Sequence, residues 1–147
     1  MGPFPHDAPP ATISQANPAG TDGFEFVEFA HPEPAKLARL FAKMGYREVA
    51  RHKSKDISLY RQGGINYILN REPQSQAARF VAEHGPCAPA MAWRVVAARH
   101  TLKRVLDLGG KEYTGSDKSL DVPAVIGIGG SLLYLVETYG EKGSAYE

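Results

Sequence analysis

The stretch that decides the fold reads FEFVEFAHPEPAKLARLFAKMG, from Phe24 to Gly45. Its first seven residues alternate between two faces, a period that predicts a β-strand over 24–30. Two prolines follow at positions where a helix can begin, and apolar residues then recur at helical spacing. These apolar residues are Leu37, Leu40, Phe41 and Met44. Gly45 is typical of the residue that follows a helix, so the folded unit opens with a strand and a helix.

Three further strands are predicted after this helix, over 46–52, 57–62 and 65–71. The pair Gly63-Gly64 supplies the hairpin turn between the last two. A short helix from Ser75 to Glu83 ends this first half.

The second half of the chain repeats the same order. A strand is predicted over 91–97, then a helix that begins at Ala98 and ends at Gly109-Gly110. The helix face carries Leu102, Val105 and Leu106. Two weak strands over 111–114 and 122–128 and a strong one over 132–137 complete the pattern. Phe26 and Trp93 are 67 residues apart, as are Tyr67 and Tyr134, a regular spacing that indicates a duplication.

Two βαβββ modules, over about 23–73 and 89–138, predict an α+β fold. They would form the half-open barrel of the glyoxalase, or vicinal-oxygen-chelate, fold, in a domain over 23–140. Residues 1–22 hold five of the eleven prolines, so we expect them to be a disordered tail. Residues 141–147 are expected to begin an interdomain linker.

Composition excludes several classes of function. The chain has 147 residues, of which 43% are apolar and 22% charged, values typical of a folded globular domain. A net charge of +1 argues against a nucleic-acid or membrane partner. Cys87 is the single cysteine, so no internal disulfide can form and a cytoplasmic location is expected. No neighbouring base or basic cluster lowers the pKa of Cys87, so we do not expect it to be a nucleophile.

The histidines do not form a pattern typical of a metal site. A non-haem iron site needs two His and one carboxylate on one face, and no histidine falls at the centre of a first strand. The five are His6, His31, His52, His84 and His100. Glu28 shares a face with Phe26, and Glu137 ends the last strand, so they would form a general acid–base pair if they converged. Hydrogen-bonded or solvated carboxylates are the alternative interpretation.

Six stretches of the chain resemble bacterial 4-hydroxyphenylpyruvate dioxygenases, in order and at compatible spacing. They are residues 17–30 (NPAGTDGFEFVEFA), 52–63 (HKSKDISLYRQG), 65–70 (INYILN), 82–86 (AEHGP), 90–95 (AMAWRV) and 127–136 (GIGGSLLYLV). No single stretch is diagnostic, but together they are specific. The resemblance extends over 17–143 and is to the N-terminal half of that enzyme.

The resemblance implies a vicinal-oxygen-chelate domain that has lost its metal. In that family the iron(II), its two His and one Glu ligands and the substrate pocket belong to the C-terminal half. That half converts 4-hydroxyphenylpyruvate and O2 to homogentisate and CO2 in tyrosine and phenylalanine catabolism. We therefore expect no catalytic, metal-binding or cofactor-binding residue in this chain. Superposition of the catalytic half's strand pattern on this chain implies that three residues are former ligand positions: Phe26, Trp93 and Leu135. Their apolar side chains would now fill the cup, which is the interior of the half-open barrel.

On this interpretation the chain is a non-catalytic structural domain. Its partner would be the C-terminal catalytic half of the same enzyme, and it would take part in the contacts of a homo-oligomer. Two alternatives remain open. One is a free-standing small protein of this fold that binds an aromatic ligand; the other is the corresponding domain of a hydroxymandelate synthase.

Overall fold

The computed structural model describes residues 9–146 of the chain. Within them lie one seven-stranded sheet and three α-helices. In chain order the elements are β1 (Thr21–Ala30), α1 (Pro34–Lys43), β2 (Arg47–Arg51), β3 (Ile57–Gln62), β4 (Ile65–Asn70), α2 (Gln76–His84), β5 (Cys87–Val95), α3 (Ala98–Asp107), β6 (Ala124–Ile126) and β7 (Leu132–Val136). Two short 3₁₀ helices lie at Ile128–Gly130 and Gly140–Lys142.

The strands form a mixed sheet in the order β2-β3-β4-β1-β5-β7-β6. The first βαβββ module forms one half of the sheet, with strands β1–β4, and the second forms the other half, with β5–β7. These two units meet where β1 and β5 pair antiparallel. Within the units, β1 pairs in parallel with β4, and β5 pairs in parallel with β7. This is the α+β vicinal-oxygen-chelate architecture predicted from the sequence.

Alternation along the strands separates two faces of the sheet. One face packs under the helices, in one cluster below α1 and another below α3. These clusters are Phe41, Tyr46, Tyr60 and Leu69, and Val95, Ala98, Val125 and Leu135. The opposite face, which we call the cup, has its own buried cluster. The cup cluster is Phe26, Ile57, Leu59, Ile68, Ala90, Ala92, Ala124, Leu132, Tyr134 and Val136.

Helix α1 begins and ends as its sequence predicts. Pro34 lies in the first turn, where its missing N–H costs no hydrogen bond. Gly45 has φ of +92°, a left-handed conformation that residues with a Cβ atom rarely adopt. The Tyr46 N–H donates to the Phe41 carbonyl (2.9 Å). The glycine turn therefore closes the helix and directs the chain into β2.

The second unit has one strand fewer than predicted. Residues 111–114, predicted as a strand, make only an isolated bridge to Val125. The strand predicted over 122–128 is limited to β6, because Pro123 has no N–H to donate to a ladder and a glycine-rich turn follows. Residues 115–122 instead lie against the cup, as the contacts below show.

The ordered chain begins earlier than the predicted boundary at Gly23. Strand β1 starts at Thr21, whose backbone is held by the Asn17 side chain. Oδ1 of Asn17 accepts from the Thr21 N–H (3.0 Å), and Nδ2 donates to the Thr21 carbonyl (2.9 Å). The last residues of the tail predicted over 1–22 are thus ordered, because a side chain satisfies their backbone groups. Residues 1–8 lie outside the described part of the chain.

The segment predicted to begin a linker, 141–147, also differs from expectation in its described part. After the 3₁₀ helix at Gly140–Lys142 the chain returns to the sheet, where Tyr146 packs against the cup cluster. We call residues 138–146 the strap. Within the described residues, the folded domain therefore includes the strap.

Candidate functional site: the cup

Glu28 lies in the cup and is 1% exposed. One carboxyl oxygen accepts from Nδ2 of Asn70 on β4 (2.8 Å), and the other accepts from Ser119 Oγ (2.6 Å). The Ser119 N–H donates to the hydroxyl of Tyr134 on β7 (3.0 Å), and the two hydroxyl oxygens lie 3.1 Å apart. Three strands and the 115–122 segment thus contribute to one buried polar network.

Burial raises the pKa of Glu28 above its ordinary value of 4.5. The hydrogen bonds from Ser119 and Asn70 and the positive charge of Lys55 oppose this shift only in part. Burial, followed by the negative charge of Glu28, also raises the pKa of Tyr134. Both groups therefore hold their protons more tightly than they would in water.

The 115–122 segment is held by contacts at the two residues that precede Ser119. Arg79 on α2 lies 2.7 Å from the Asp117 carboxylate, and Lys55 Nζ donates to the Lys118 carbonyl (2.6 Å). These contacts fix the backbone that carries Ser119, so its hydroxyl reaches Glu28 although the segment has no regular secondary structure.

This geometry does not support acid–base catalysis. Both oxygens of Glu28 are buried and engaged, so a substrate atom cannot approach them. The second carboxylate considered from the sequence, Glu137, accepts from the Ala98 N–H (2.6 Å) at the start of α3. The two carboxylates have separate partners and do not form a pair. Both side chains are hydrogen-bonded carboxylates in the structure.

Two of the three predicted cup positions lie on the opposite face of the sheet. Phe26 is 2% exposed and lines the cup. Trp93 and Leu135 pack under α3 instead. In their strands the positions that line the cup are Ala92 and Tyr134. The prediction that all three side chains fill the cup is therefore wrong for Trp93 and Leu135.

The error arises because the prediction aligned the two modules with an offset of 67 residues, which is one residue too long. Phe26 pairs with Ala92 across β1 and β5, and Ile68 and Tyr134 both line the cup. Each of these pairs is 66 residues apart, not 67. Because successive side chains of a strand point to opposite faces, a slip of one residue exchanges the cup face and the helix face.

The four described histidines have structural partners. His31 and His52 accept backbone N–H bonds through Nδ1 (2.8 and 3.2 Å) within their turns. A ring nitrogen of His100 lies 2.8 Å from a backbone carbonyl that precedes β1. His84 packs beside a phenylalanine ring, with ring centroids 4.3 Å apart. His6 lies outside the described residues.

Burial, followed by the negative charge of Glu28, raises the pKa of the Cys87 thiol. A nucleophilic cysteine needs a lowered pKa. The environment of Cys87 therefore agrees with the prediction that it is not a nucleophile.

Sequence reasoning missed Asn70, Ser119 and Tyr146. Asn70 could have been found, because it lies two residues after Ile68 and so shares the cup face. Ser119 and Tyr146 lie in irregular segments, where no periodicity indicates which way a side chain points. Contacts with residues distant in sequence decide their positions.

A second polar cluster lies beside the strap. The Glu25 carboxylate is 2.5 Å from Nε of Arg94 and accepts from Asn66 Nδ2 (3.2 Å). A cavity of about 290 Å³ is lined by these three residues and the strap. A second cavity of about 360 Å³ lies between β2, β3 and the 115–122 segment. Tyr146 lines both cavities.

A family model described as "Hydroxyphenylpyruvate dioxygenase, HPPD, N-terminal" matches residues 15–147. The chain belongs to this family. The chain is 49% identical, over 134 residues, to a 4-hydroxyphenylpyruvate dioxygenase of Pseudomonas sp. (strain P.J. 874). The match covers 89% of this chain and 37% of that protein. The chain thus spans little more than a third of the length of that relative.

The chain also matches parts of other, longer proteins. It is 41% identical to a 3-dehydroshikimate dehydratase of Pseudomonas aeruginosa, over 95% of this chain and 22% of that protein. A solved "xylose isomerase-like TIM barrel/4-hydroxyphenylpyruvate dioxygenase fusion protein" is 39% identical, with a TM-score of 0.75, over 93% of this chain and 22% of that one. A variant 4-hydroxymandelate synthase from Streptomyces coelicolor, with a TM-score of 0.66, is 17% identical over 82% of this chain and 38% of that one. That likeness shows the fold alone.

The described residues of this chain do not fit an iron site. Within residues 9–146, no three His, Cys, Asp or Glu side chains are grouped so that they could hold a metal ion. The cup positions Phe26 and Ala92 carry no donor atom for a metal. Over the same residues, no helix is both long and apolar enough to cross a lipid bilayer.

Proposed function

We propose that this chain is the structural N-terminal domain of a 4-hydroxyphenylpyruvate dioxygenase, and that residues outside it hold the iron(II) and carry out the reaction. The family match over residues 15–147 carries this proposal. The chemistry of the cup supports it. The carboxyl group of Glu28 is enclosed by Asn70 and Ser119, and many of the surrounding positions carry apolar side chains.

We further propose that the domain packs against a C-terminal catalytic domain of the same enzyme, within a cytoplasmic homo-oligomer. Exposed apolar side chains support a packing role. Leu108, after α3, is 73% exposed, and Ile128, between β6 and β7, is 93% exposed. Another protein unit that covered these side chains would remove their apolar surface from water, which is favourable. The single cysteine agrees with a reducing compartment.

The proposal is tested with the complete gene product that contains this sequence, purified beside the 147-residue chain. We expect the complete protein to bind iron(II) and to consume O2 as it converts 4-hydroxyphenylpyruvate to homogentisate. The 147-residue chain should show neither property. Stoichiometric iron or turnover in the 147-residue chain would contradict the proposal, as would a complete protein that is inactive when loaded with iron(II).

A second candidate function rests on the 41% identity to a 3-dehydroshikimate dehydratase. In such a protein the chain would be part of a dioxygenase-like region joined to a dehydratase. The same complete protein should then dehydrate 3-dehydroshikimate. The reaction is monitored by the loss of that substrate and the appearance of the aromatic product. Homogentisate formation without this activity would favour the first proposal.

A further inference from the structure

The strap places Tyr146 in the cup. Its ring lies 6.4 Å from the Phe26 ring, centroid to centroid, and the Arg61 guanidinium lies 5.7 Å from its centroid. Aliphatic side chains of β3 and β4 line the cavity beside it. The ring is thus held by aromatic, aliphatic and cation–π contacts, which are the contacts that recognise a small aromatic ligand.

The strap is anchored on either side of its turn. The Tyr139 hydroxyl donates to the Asp22 carboxylate (2.8 Å), and Arg94 lies over the Tyr139 ring (5.4 Å). Lys142 Nζ donates to the Val96 carbonyl (3.3 Å). These contacts hold the strap against the sheet, so the strap carries Tyr146 into the cup without being part of the sheet.

The hydroxyl group of Tyr146 is poorly satisfied. It is buried and has no hydrogen-bond partner among residues 9–146. Burial, then the negative charge of Glu25 and the interaction of the hydroxyl with its carboxylate, raise the pKa of Tyr146. The strap thus holds the phenol beside the Glu25 carboxylate. A free phenol in the same place could shift and donate to that carboxylate.

Tyr146 also divides the space inside the domain. The cavities of about 360 Å³ and about 290 Å³ have this residue in common. Removal of its ring would join them into one cavity with apolar walls near Phe26 and a carboxylate acceptor at Glu25. A cavity of that size and mixed lining is typical of a small-molecule site.

We propose that the cup is a binding site for a small phenol and that Tyr146 occupies it as the chain's own ligand. The ring of the ligand takes the place of the tyrosine ring beside Phe26, and its hydroxyl donates to Glu25. All residues of the proposed site belong to this chain, so the inference does not depend on the proposed activity.

The test is rescue of Tyr146→Ala by p-cresol, which has the shape of the missing side chain. We expect the variant to melt below the wild type and saturating p-cresol to raise its Tm by about 4 °C or more. The wild type should respond weakly because its site is filled. Toluene, which lacks the hydroxyl, should stabilise the variant less than p-cresol does.

Tyr67→Ala is the matched control. Tyr67 is a half-buried tyrosine on the opposite face, stacked on Tyr46 at 4.3 Å, so its removal also leaves a ring-sized hole. Equal rescue of both variants by p-cresol would overturn the proposal, since any hole would then suffice. Equal effects of toluene and p-cresol on Tyr146→Ala would overturn it as well.

Refolding yield extends the test to a variant that is too unstable to melt cooperatively. Tyr146→Ala and the milder Tyr146→Val are refolded from urea with p-cresol, with toluene or without ligand. A larger folded fraction with p-cresol than with toluene supports the proposal. No gain from p-cresol overturns it.

Discussion

At the residue scale, Glu28 shows how a polar group can be accommodated in an apolar cup without becoming a catalyst. It is fully buried, yet Asn70 and Ser119 satisfy both of its oxygens. Burial keeps its pKa above the ordinary value, so it retains its proton to a higher pH than a carboxyl group in water does. A carboxyl group in this state connects β1, β4 and the 115–122 segment, and its contribution to stability depends on pH.

We predict that this contribution decreases as pH rises. The folded-state pKa of Glu28 lies above 4.5, so the folded protein retains a proton that the unfolded chain releases. The stabilisation is therefore complete below about pH 4.5 and is lost as pH rises through the folded-state pKa. Glu28→Gln keeps a hydrogen-bonding amide that does not titrate. We therefore expect the free energy of unfolding of Glu28→Gln, minus that of the wild type, to become more positive between about pH 5 and about pH 8.

Urea unfolding at both pH values measures this difference. Glu112→Gln, at an exposed position after α3, is the control and should show no such trend. A wild type that gains stability over Glu28→Gln as pH rises would contradict the prediction.

At the scale of the element, helix α3 begins without a capping side chain of its own. Ala97 precedes it and has no hydroxyl or carboxylate to bond the free N–H groups of the first turn. Glu137, which follows β7, supplies the acceptor for the Ala98 N–H (2.6 Å). Its negative charge also lies at the positive end of the helix dipole. A residue 39 positions away thus takes the part of the N-cap.

We predict that Glu137→Ala lowers the free energy of unfolding by about 1 kcal/mol. Glu137→Gln keeps an acceptor oxygen and loses only the charge, so its effect should be smaller, about 0.5 kcal/mol. Urea unfolding of both variants and of Glu83→Ala, an exposed control, measures these effects. Equal losses for the two Glu137 variants would mean that charge alone is responsible.

At the scale of the whole molecule, the two units are joined through β1 and β5. Glu25 of β1 and Arg94 of β5 form an ion pair at this junction, with the Glu25 side chain 5% exposed and that of Arg94 30% exposed. Asn66 of β4 donates to the same carboxylate. Because Glu25 is buried, loss of its partner would leave a charge with little solvent to stabilise it.

We predict that Arg94→Met lowers the free energy of unfolding by about 1.5–3 kcal/mol. The double variant with Glu25→Gln should lose less than the sum of the two single variants, by at least about 1 kcal/mol. The exposed pair Lys103 and Asp107 on α3 is the matched control, and its coupling energy should be about 0.5 kcal/mol or less. Additive losses at Glu25 and Arg94 would show that the pair does not join the units.

Much of the fold could be predicted from local pattern. The strands β3 and β4 and the helices α1 and α3 have strong periodicity and clear glycine ends, and the structure has them close to the predicted bounds. The prediction of a strand over 111–114 was wrong because that strand would pair with β6, which Pro123 and the glycines after it shorten. The cup residues Trp93 and Leu135 were wrong because the repeat was read one residue out of register.

The sequence by itself determined the α+β architecture, the duplication and the family, because these follow from periodicity and from motifs that are local in the chain. Only the tertiary structure decided which side chains fill the cup. Strand register sets the face on which Phe26, Ala92 and Tyr134 lie, and that register depends on pairing between distant strands. Contacts across the sheet likewise bring Ser119 to Glu28 and Tyr146 into the cup. No local pattern encodes those contacts.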